Sequence, residues 1–368
     1  MNPPTSVKQS RRTDLWAPVL AVSLAVAGLL LATEMVVRWL APEPVPIRLV
    51  QLGEELTDTD REVFVELIEP DSDLFWRLVP DIVLPDDDWP FFGRISNHQR
   101  LREDHEIPLK RPKDELRLLF LGASDTFGFK LPLEASVVDE VERLLRAQLG
   151  GHPVECINAG VPGYGLFQGW QLLRREGFDY EPDLVVVNFG WNDATERDGL
   201  SDIQLHALQQ AMRPPVLADS RLMTLIWQLL RPPRTVEGRT PRARLWSSEY
   251  RDLLATMHQA SLAHDADFLS YVSASSRNIA PGFSPDLRTG YQKVQYEWGR
   301  DLTLRDAATP AVFDTVPLLQ DMAKGRGQLE LYFADGSHPR RIVNERMAEA
   351  FVEQILPWAK WRLASERH

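Results

Sequence analysis

From residue 116 onward the sequence alternates between short apolar runs and longer amphipathic ones, and this alternation restricts the fold more than any other feature. The runs LRLLFLG, VECINAG, DLVVVNFG, DFLSYVS and LELYFA are short, apolar and rich in β-branched or aromatic residues, as strands are. The stretches SVVDEVERLLRAQL and SSEYRDLLATMHQASLAH repeat apolar residues three or four apart, as amphipathic helices do. With a long closing helix over about 341–364, the pattern predicts a five-stranded parallel sheet covered by helices on both faces.

Four polar motifs follow predicted strands, at the end of a parallel sheet where ligands bind. GASDTFG contains Ser124, and NAGVPGYG contains Gly160. GWND contains Asn192, and DGSHP contains Asp335 and His338. Each motif alone also fits an ordinary turn or helix cap. Because all four occur in this order, each after a predicted strand, we favour a catalytic site over packing.

The spacing of the last motif suggests how such a site works. Asp335 and His338 are three residues apart, so the carboxylate can orient the imidazole while its other nitrogen takes a proton from Ser124. A serine hydroxyl is a poor nucleophile without such a base. The backbone N–H groups of Ser124 and Gly160 and the side-chain amide of Asn192 are the expected oxyanion donors. The pattern predicts acyl transfer through an acyl-serine.

These four motifs, with Ser, Gly, Asn and then Asp with His in this order, resemble the SGNH hydrolase superfamily, also called GDSL esterases. The resemblance covers about residues 116–360. It implies a flavodoxin-like three-layer α/β/α sandwich, with the same residues in the roles just described and no cofactor. The segment SNHQRLREDHE, which ends at Glu106, resembles the lead-in of membrane-anchored bacterial members.

The first motif departs from the family pattern at one position. The family usually has Gly-Asp-Ser, and here Ala123 replaces the aspartate. The expected triad acid is Asp335, so the core machinery is retained. The missing carboxylate is one that orders neighbouring loops, and Asp125 is the nearest residue able to replace it in part, although we expect its side chain to point elsewhere.

The amino terminus carries a charge-free stretch, Leu15 to Thr33, that is about as long as a membrane-crossing helix. Lys8, Arg11 and Arg12 precede it, and acidic residues dominate the segment after it. The positive-inside rule then predicts a cytoplasmic tail over 1–14, a transmembrane anchor over 15–40 and a periplasmic or extracellular domain. A cleaved signal peptide and a buried soluble helix are the alternatives, and the lack of a convincing cleavage site favours an uncleaved anchor.

The rest of the chain divides into a juxtamembrane lead-in over 41–115 and a hydrolase-like domain over 116–364. In the lead-in, IRLVQL and VFVELIE are candidate short strands. The domain contains two expected insertions, at about 195–245 and 275–310. The first ends in RPPRTVEGRTPRAR, whose five arginines suit either a solvated loop or a contact with anionic lipid.

Composition excludes several other functions. A net charge of −12 argues against nucleic acid as a partner. The single cysteine, Cys156, cannot form an intramolecular disulfide, and its apolar run predicts a buried thiol. No Cys/His cluster has zinc spacing, and Asp86, Asp87 and Asp88 are interpreted as solvated residues, not metal ligands.

Three functions remain. The leading one is an ester hydrolase acting on O-acyl, above all acetyl, esters of small molecules, carbohydrates or other envelope components. An O-acyltransferase that modifies an envelope polysaccharide and a non-catalytic binding domain are the alternatives. Trp191, inside the third motif, is the best candidate to line the substrate pocket, with Asp125 a second, whereas Trp170 is expected in the core.

Overall fold

The computed structural model of the chain describes residues 16–40, 64, 66–84, 93–214, 220–230, 240–279, 288 and 290–365. The chain divides into two units. One comprises residues 1–44 and 207–235, and the other comprises residues 45–206 and 236–368.

The larger unit is built on a five-stranded parallel sheet. Its strands are β1 (Leu116–Gly122), β2 (Val154–Gly160), β3 (Leu184–Asn188), β4 (Asp267–Val272) and β5 (Val312–Asp314). They lie in the order β2-β1-β3-β4-β5, which is the flavodoxin-like order. At the carboxyl end of β1, Gly122 pairs with Gly160 on one side and with Asn188 on the other. The predicted fold class is confirmed.

One predicted strand is wrong. LELYFA forms the helix Gln328–Leu331, and its Tyr332 contributes only an isolated bridge to Pro339. A carboxylate oxygen of Glu330 accepts the backbone N–H of Gly327 at 2.7 Å, which caps this helix at its start. The fifth strand is instead VFD, β5, at the sheet edge. A short apolar run does not distinguish a strand from a buried helical turn.

Helices cover both faces of the sheet. Leu119 and Leu121 of β1 belong to one core cluster, and Leu118 and Phe120 belong to the other. The described helices are α1 (Trp16–Leu40), α2 (Ser124–Phe127), α3 (Val137–Gln148), α4 (Leu166–Arg175), α5 (Asp202–Ala211), α6 (Arg221–Leu230), α7 (Ser247–Ala263), α8 (Gly290–Gly299), α9 (Val316–Met322), α10 (Gln328–Leu331) and α11 (Arg341–Ser365). The cluster that contains Leu119 and Leu121 includes residues of α4, α7 and α8, and the other cluster includes residues of α3, α9 and α11. The two helices predicted from periodicity correspond to α3 and α7, and the closing helix to α11. The result is a three-layer α/β/α sandwich.

Short elements complete the described chain. Three antiparallel pairs are Ile68–Asp71 with Phe75–Leu78, Val83–Leu84 with Gly93–Arg94, and Glu196–Asp198 with Pro241–Ala243. The 3-10 turns are Leu133–Ala135, Gly177–Tyr180, Asn192–Ala194 and Ser276–Ile279. Among the described residues of the predicted strand VFVELIE, Ile68 and Glu69 are in a strand and Phe64, Glu66 and Leu67 are not, and IRLVQL lies outside the described residues.

The lead-in is packed into the core of the larger unit. Trp76 is 1% exposed, and its indole N–H donates to the carbonyl of Pro162 at 3.1 Å. The Tyr164 hydroxyl in turn donates to the carbonyl of Trp76 at 2.6 Å. These bonds join the lead-in to the chain segment that follows β2.

The smaller unit contains α1 and α6. Helix α1 reaches a mean hydropathy of 2.2, is long and apolar enough to cross a membrane, and has no buried residue, which contradicts the buried-helix alternative. The Glu34 carboxylate in α1 accepts bonds from the Ser220 hydroxyl at 2.8 Å and from the backbone N–H groups of Arg221 at 2.8 Å and Leu222 at 2.9 Å. Glu34 therefore caps the start of α6.

Candidate active site

Ser124 begins α2 directly after β1, so the sheet presents its hydroxyl at a carboxyl edge. A Cβ on Gly122 would lie 2.0 Å from the Thr126 Oγ1 atom, so this turn closes only with glycine. A Cβ on Gly160 would lie 2.5 Å from the Phe127 nitrogen. Both glycines are therefore required by close contact with α2.

The Asp335–His338 turn forms the predicted dyad. The Asp335 Oδ2 atom accepts from His338 Nδ1 at 2.9 Å, and Oδ1 accepts the backbone N–H groups of Ser337 and His338, each at 3.0 Å. Lys130 Nζ donates to Oδ2 at 2.7 Å. Partial burial would raise the pKa of Asp335, but the bonds from His338 and Lys130 outweigh it and hold this pKa below its ordinary value. The acid is therefore ionised and fixes the orientation of the imidazole.

A cleft of about 670 Å³ at this end of the sheet brings the predicted residues together. Its lining includes all but one of them, namely Ser124, Asp125, Trp191, Asn192, Asp335 and His338. The Asp125 carboxylate accepts from the Asn188 amide at 3.0 Å, so it links the serine turn to the end of β3.

Gly160 is the exception. It is the last residue of β2, and its N–H donates to the Asn158 Oδ1 atom at 3.0 Å, so it is not available to an oxyanion. Three residues later Gly163 lines the cleft with φ +80°. Its N–H has no acceptor among the residues that the structure describes. The prediction of Gly160 is corrected because the strand continues through it, and the Pro-Gly pair of NAGVPGYG was the available turn signal.

The GWND turn positions an amide and buries a carboxyl. Asn192 Nδ2 donates one hydrogen to the Tyr164 carbonyl at 2.8 Å, and an amide nitrogen has a second hydrogen to donate. Asp193 is fully buried, and its Oδ1 atom accepts the Leu166 N–H at 2.9 Å. Burial, opposed by the nearby charge of Arg244, raises the pKa of Asp193 to about 7. The turn is thus anchored to the start of α4.

Two charged residues of the lead-in support the backbone near the site, Arg102 after the serine turn and Glu103 at the end of β2, and sequence reasoning assigned them no role. The fully buried Arg102 guanidinium donates to the carbonyls of Phe127 at 3.4 Å and Leu131 at 3.2 Å, and burial lowers its pKa to about 10. The Glu103 carboxylate accepts the Asn158 N–H at 2.6 Å. Side-chain donors of this kind hold an irregular backbone segment in place.

A third residue missed by sequence reasoning is Arg277, which lies in the predicted insertion 275–310. It lines the cleft, and its guanidinium carbon lies 4.5 Å from the centre of the Trp191 ring. Trp191 itself is 46% exposed. The insertion therefore contributes a cation to the wall of the site.

The described residues contain no group of three or more His, Cys, Asp or Glu side chains that could hold a metal ion. The aspartates at 86–88 lie outside those residues. Cys156 is buried, as predicted, and burial raises its thiol pKa well above the ordinary value. A buried thiol of raised pKa is a packing residue.

Several solved structures resemble the chain at low identity. An acetylxylan esterase of Geobacillus stearothermophilus, Axe2, is 16% identical, with a TM-score of 0.44, over 66% of this chain and 96% of that one. An α/β hydrolase from the metagenome of Lake Arreo, Spain, is 13% identical, with a TM-score of 0.43, over 65% and 94%. A psychrotrophic esterase, EstA, of Pseudoalteromonas sp. is 16% identical, with a TM-score of 0.40, over 66% and 98%. No curated protein matches the sequence.

The family comparison covers the same region as the cleft. The model of the GDSL-like lipase/acylhydrolase family matches residues 120–342, more than half of the chain, from β1 to the start of α11. The matched segment includes the serine turn, the GWND turn and the Asp335–His338 turn. The chain belongs to the GDSL-like lipase/acylhydrolase family, and its activity class is carboxylic ester hydrolysis.

Proposed function

We propose that the chain is an exported, membrane-anchored serine esterase in which Ser124 is the nucleophile, His338 the general base and Asp335 the residue that orients the base. One observation carries this proposal: the 2.9 Å bond between His338 and Asp335 lies in the same cleft as the Ser124 hydroxyl. The ionised carboxylate stabilises the imidazolium that forms when His338 takes the serine proton.

The reaction then follows two acyl transfers. The Ser124 oxygen attacks the ester carbonyl as its proton passes to His338, which next donates that proton to the departing alcohol. Water, deprotonated by the same imidazole, releases the acyl group as a carboxylic acid. The Ser124 N–H, the Gly163 N–H and the second amide hydrogen of Asn192 are the proposed donors to the tetrahedral oxyanion, with Gly163 replacing Gly160.

We further propose that the substrate is an O-acyl ester, above all an acetyl ester, of a carbohydrate or other envelope component. The cleft is roomy and partly polar, and the exposed Trp191 at its wall suits contact with a sugar ring. Helix α1 and the basic residues before it support a domain held at the outer side of a membrane.

The test uses the full-length chain in a neutral detergent. A fluorophosphonate probe should label Ser124, with mass spectrometry locating the adduct, and the chain should release nitrophenol from 4-nitrophenyl acetate. Ser124→Ala should lose both responses, whereas Ser273→Ala, which removes another hydroxyl from the same cleft, should keep the label. Absence of labelling in the folded wild type would refute the serine mechanism and favour a binding domain.

A further inference from the structure

The Arg277 guanidinium lies at the wall of the cleft, and no hydrogen-bond partner for its N–H groups is found within the described part of the chain. Its guanidinium carbon lies over the Trp191 ring, and a cation–π contact of this kind uses none of the guanidinium N–H donors. The contact seen for this side chain among the described residues is the one with Trp191, and no carboxylate or carbonyl of those residues accepts from it. By contrast, Arg288 pairs with Asp314, and Arg244 pairs with Asp202 at 2.8 Å.

The backbone around Arg277 is tied to the catalytic turn. The Ser276 N–H donates to the carbonyl of Gly336 at 3.2 Å, between Asp335 and His338. The Ser275 N–H donates to the Asn278 side chain at 2.8 Å, which closes the 3-10 turn that contains Arg277. The backbone that carries Arg277 is therefore held next to the Asp335–His338 turn by the fold.

The negative charge of the chain and of the cleft bears on which substrates Arg277 can bind. The chain has a net charge of −12, and Asp125 and Asp335 line the same cleft. An anionic substrate meets repulsion from this field, so it needs a local cation to bind. A planar carboxylate matches the forked donors of a guanidinium, which bind it through two parallel hydrogen bonds.

We propose that Arg277, stacked on Trp191, binds a carboxylate of the substrate, so that the preferred esters carry a carboxylate elsewhere in the molecule. This proposal rests on the proposed esterase function. It deepens that function by naming the substrate class: esters that carry a free carboxylate, as opposed to neutral esters. Arg277 is a specificity residue here and takes no part in bond breaking.

The test compares two esters that differ in one charge. The full-length chain is assayed with the mono-4-nitrophenyl ester of glutaric acid and with the same compound methylated on its free carboxylate. Charge-assisted hydrogen bonds are stronger than neutral ones, so we expect wild type to favour the anionic ester about tenfold or more in kcat/KM. Arg277→Gln should bring this ratio to about one or below, and Arg277→Lys should keep part of it.

Arg346→Gln is the matched control. This arginine is exposed on α11 and pairs with Glu349, so its loss removes one positive charge without touching the cleft. The ratio of the two rates should remain that of wild type. A ratio that Arg277→Gln leaves unchanged, or no preference in wild type, would overturn the proposal while the esterase function stands.

A binding measurement keeps the proposal testable if no ester is cleaved. Calorimetry with glutarate and the Ser124→Ala chain should show binding that weakens with added salt and that is lost on further substitution of Arg277 by Gln. If the wild type cleaves neither ester but glutarate binds in this way, the esterase function is refuted and the carboxylate site is not. Binding that is absent, or that is equal with and without Arg277, would refute the carboxylate site.

Discussion

The two ends of the central sheet use similar polar residues in opposite ways. At the amino end, the Asp183 carboxylate is 1% exposed and accepts from the Arg117 N–H at 2.9 Å, Arg111 Nη1 at 2.6 Å and Arg362 Nε at 2.9 Å. Asp267, in β4, likewise accepts from the Trp358 indole N–H at 2.8 Å. Every one of these bonds holds one part of the chain to another.

At the carboxyl end the polar groups retain unused donors. The Gly163 N–H and the Arg277 guanidinium have no acceptor in the described chain, and both line a cleft open to solvent. Buried polar groups with all partners supplied stabilise a fold, whereas donors directed at an open cleft are available to a ligand. The unfilled hydrogen-bonding capacity, not the number of charges, distinguishes the candidate active site from the stabilising network.

Ser124→Ala is expected to show the largest difference between the two ends of the sheet, because it should abolish activity without changing stability. Loss of the nucleophile should lower kcat by about 10⁴-fold or more, because the remaining groups only bind and polarise the ester. The free energy of unfolding, measured in urea, should change by no more than about 0.5 kcal/mol. Full activity of this variant would remove the catalytic assignment of the carboxyl end.

Asp183→Ala should show the converse. Removal of one partner from a buried ion pair costs about 3–5 kcal/mol, because Arg111 and Arg362 lose the buried carboxylate that faces them. Urea unfolding should report this loss, while kcat/KM of the folded fraction stays at the wild-type value. Asp265→Ala is the control, since that carboxylate is 72% exposed and should cost far less. An equal loss at both positions would show that burial does not decide the effect.

Asn192→Ala tests whether the carboxyl-end donors act in catalysis. Loss of one oxyanion donor typically lowers kcat by about 10²–10³-fold, less than loss of the nucleophile. The bond to the Tyr164 carbonyl is also lost, so unfolding must be measured in parallel. A decrease in rate that only follows the folded fraction would assign Asn192 to structure.

The smallest expected effect is on the pH dependence of stability and concerns Asp193. This carboxyl lies beside the cleft, but it is buried and bonded within the fold, as Asp183 is at the amino end. Its pKa of about 7 in the folded chain lies above its ordinary value of 3.8, mainly because of burial. The folded state thus holds a proton that the unfolded chain releases, and stability falls as pH rises between about 4 and 7. The slope is at most about 1.4 kcal/mol per pH unit.

Asp193→Asn should flatten this dependence, because an amide has no proton to lose in that range while its oxygen can still accept from Leu166. The measurement is the free energy of unfolding at several pH values for both proteins. An identical slope in the variant would place the titrating group elsewhere.

Much of this molecule follows from local sequence. Four of the five sheet strands, the three helices predicted from periodicity, and the placement of Ser124, Asn192, Asp335 and His338 in one cleft agree with the expectations. Each depends on a short pattern whose period or turn chemistry is self-contained. Parallel strands then bring their carboxyl-end motifs to one edge without further information.

Three features could be identified only from the tertiary structure: the fifth strand, the glycine proposed as an oxyanion donor, and the position of Arg277 in the cleft. Three residues, VFD, become a strand only because β4 lies beside them, and the more apolar LELYFA becomes a helix. Gly160 pairs with Gly122 as the last residue of β2, so it does not line the cleft. Gly163, three residues later, lines the cleft instead. These outcomes depend on partners distant in sequence.

Neighbouring residues alone specify the order of most strands along the chain and the chemistry carried by its turns, because both are local patterns. Which N–H groups are used within the fold, and which remain available to a ligand, is set by packing in three dimensions, since it depends on the atoms that lie opposite each donor. Arg277 shows the difference: it lies over Trp191, eighty-six residues earlier in the sequence, and its neighbour Ser276 is bonded to Gly336, sixty residues later.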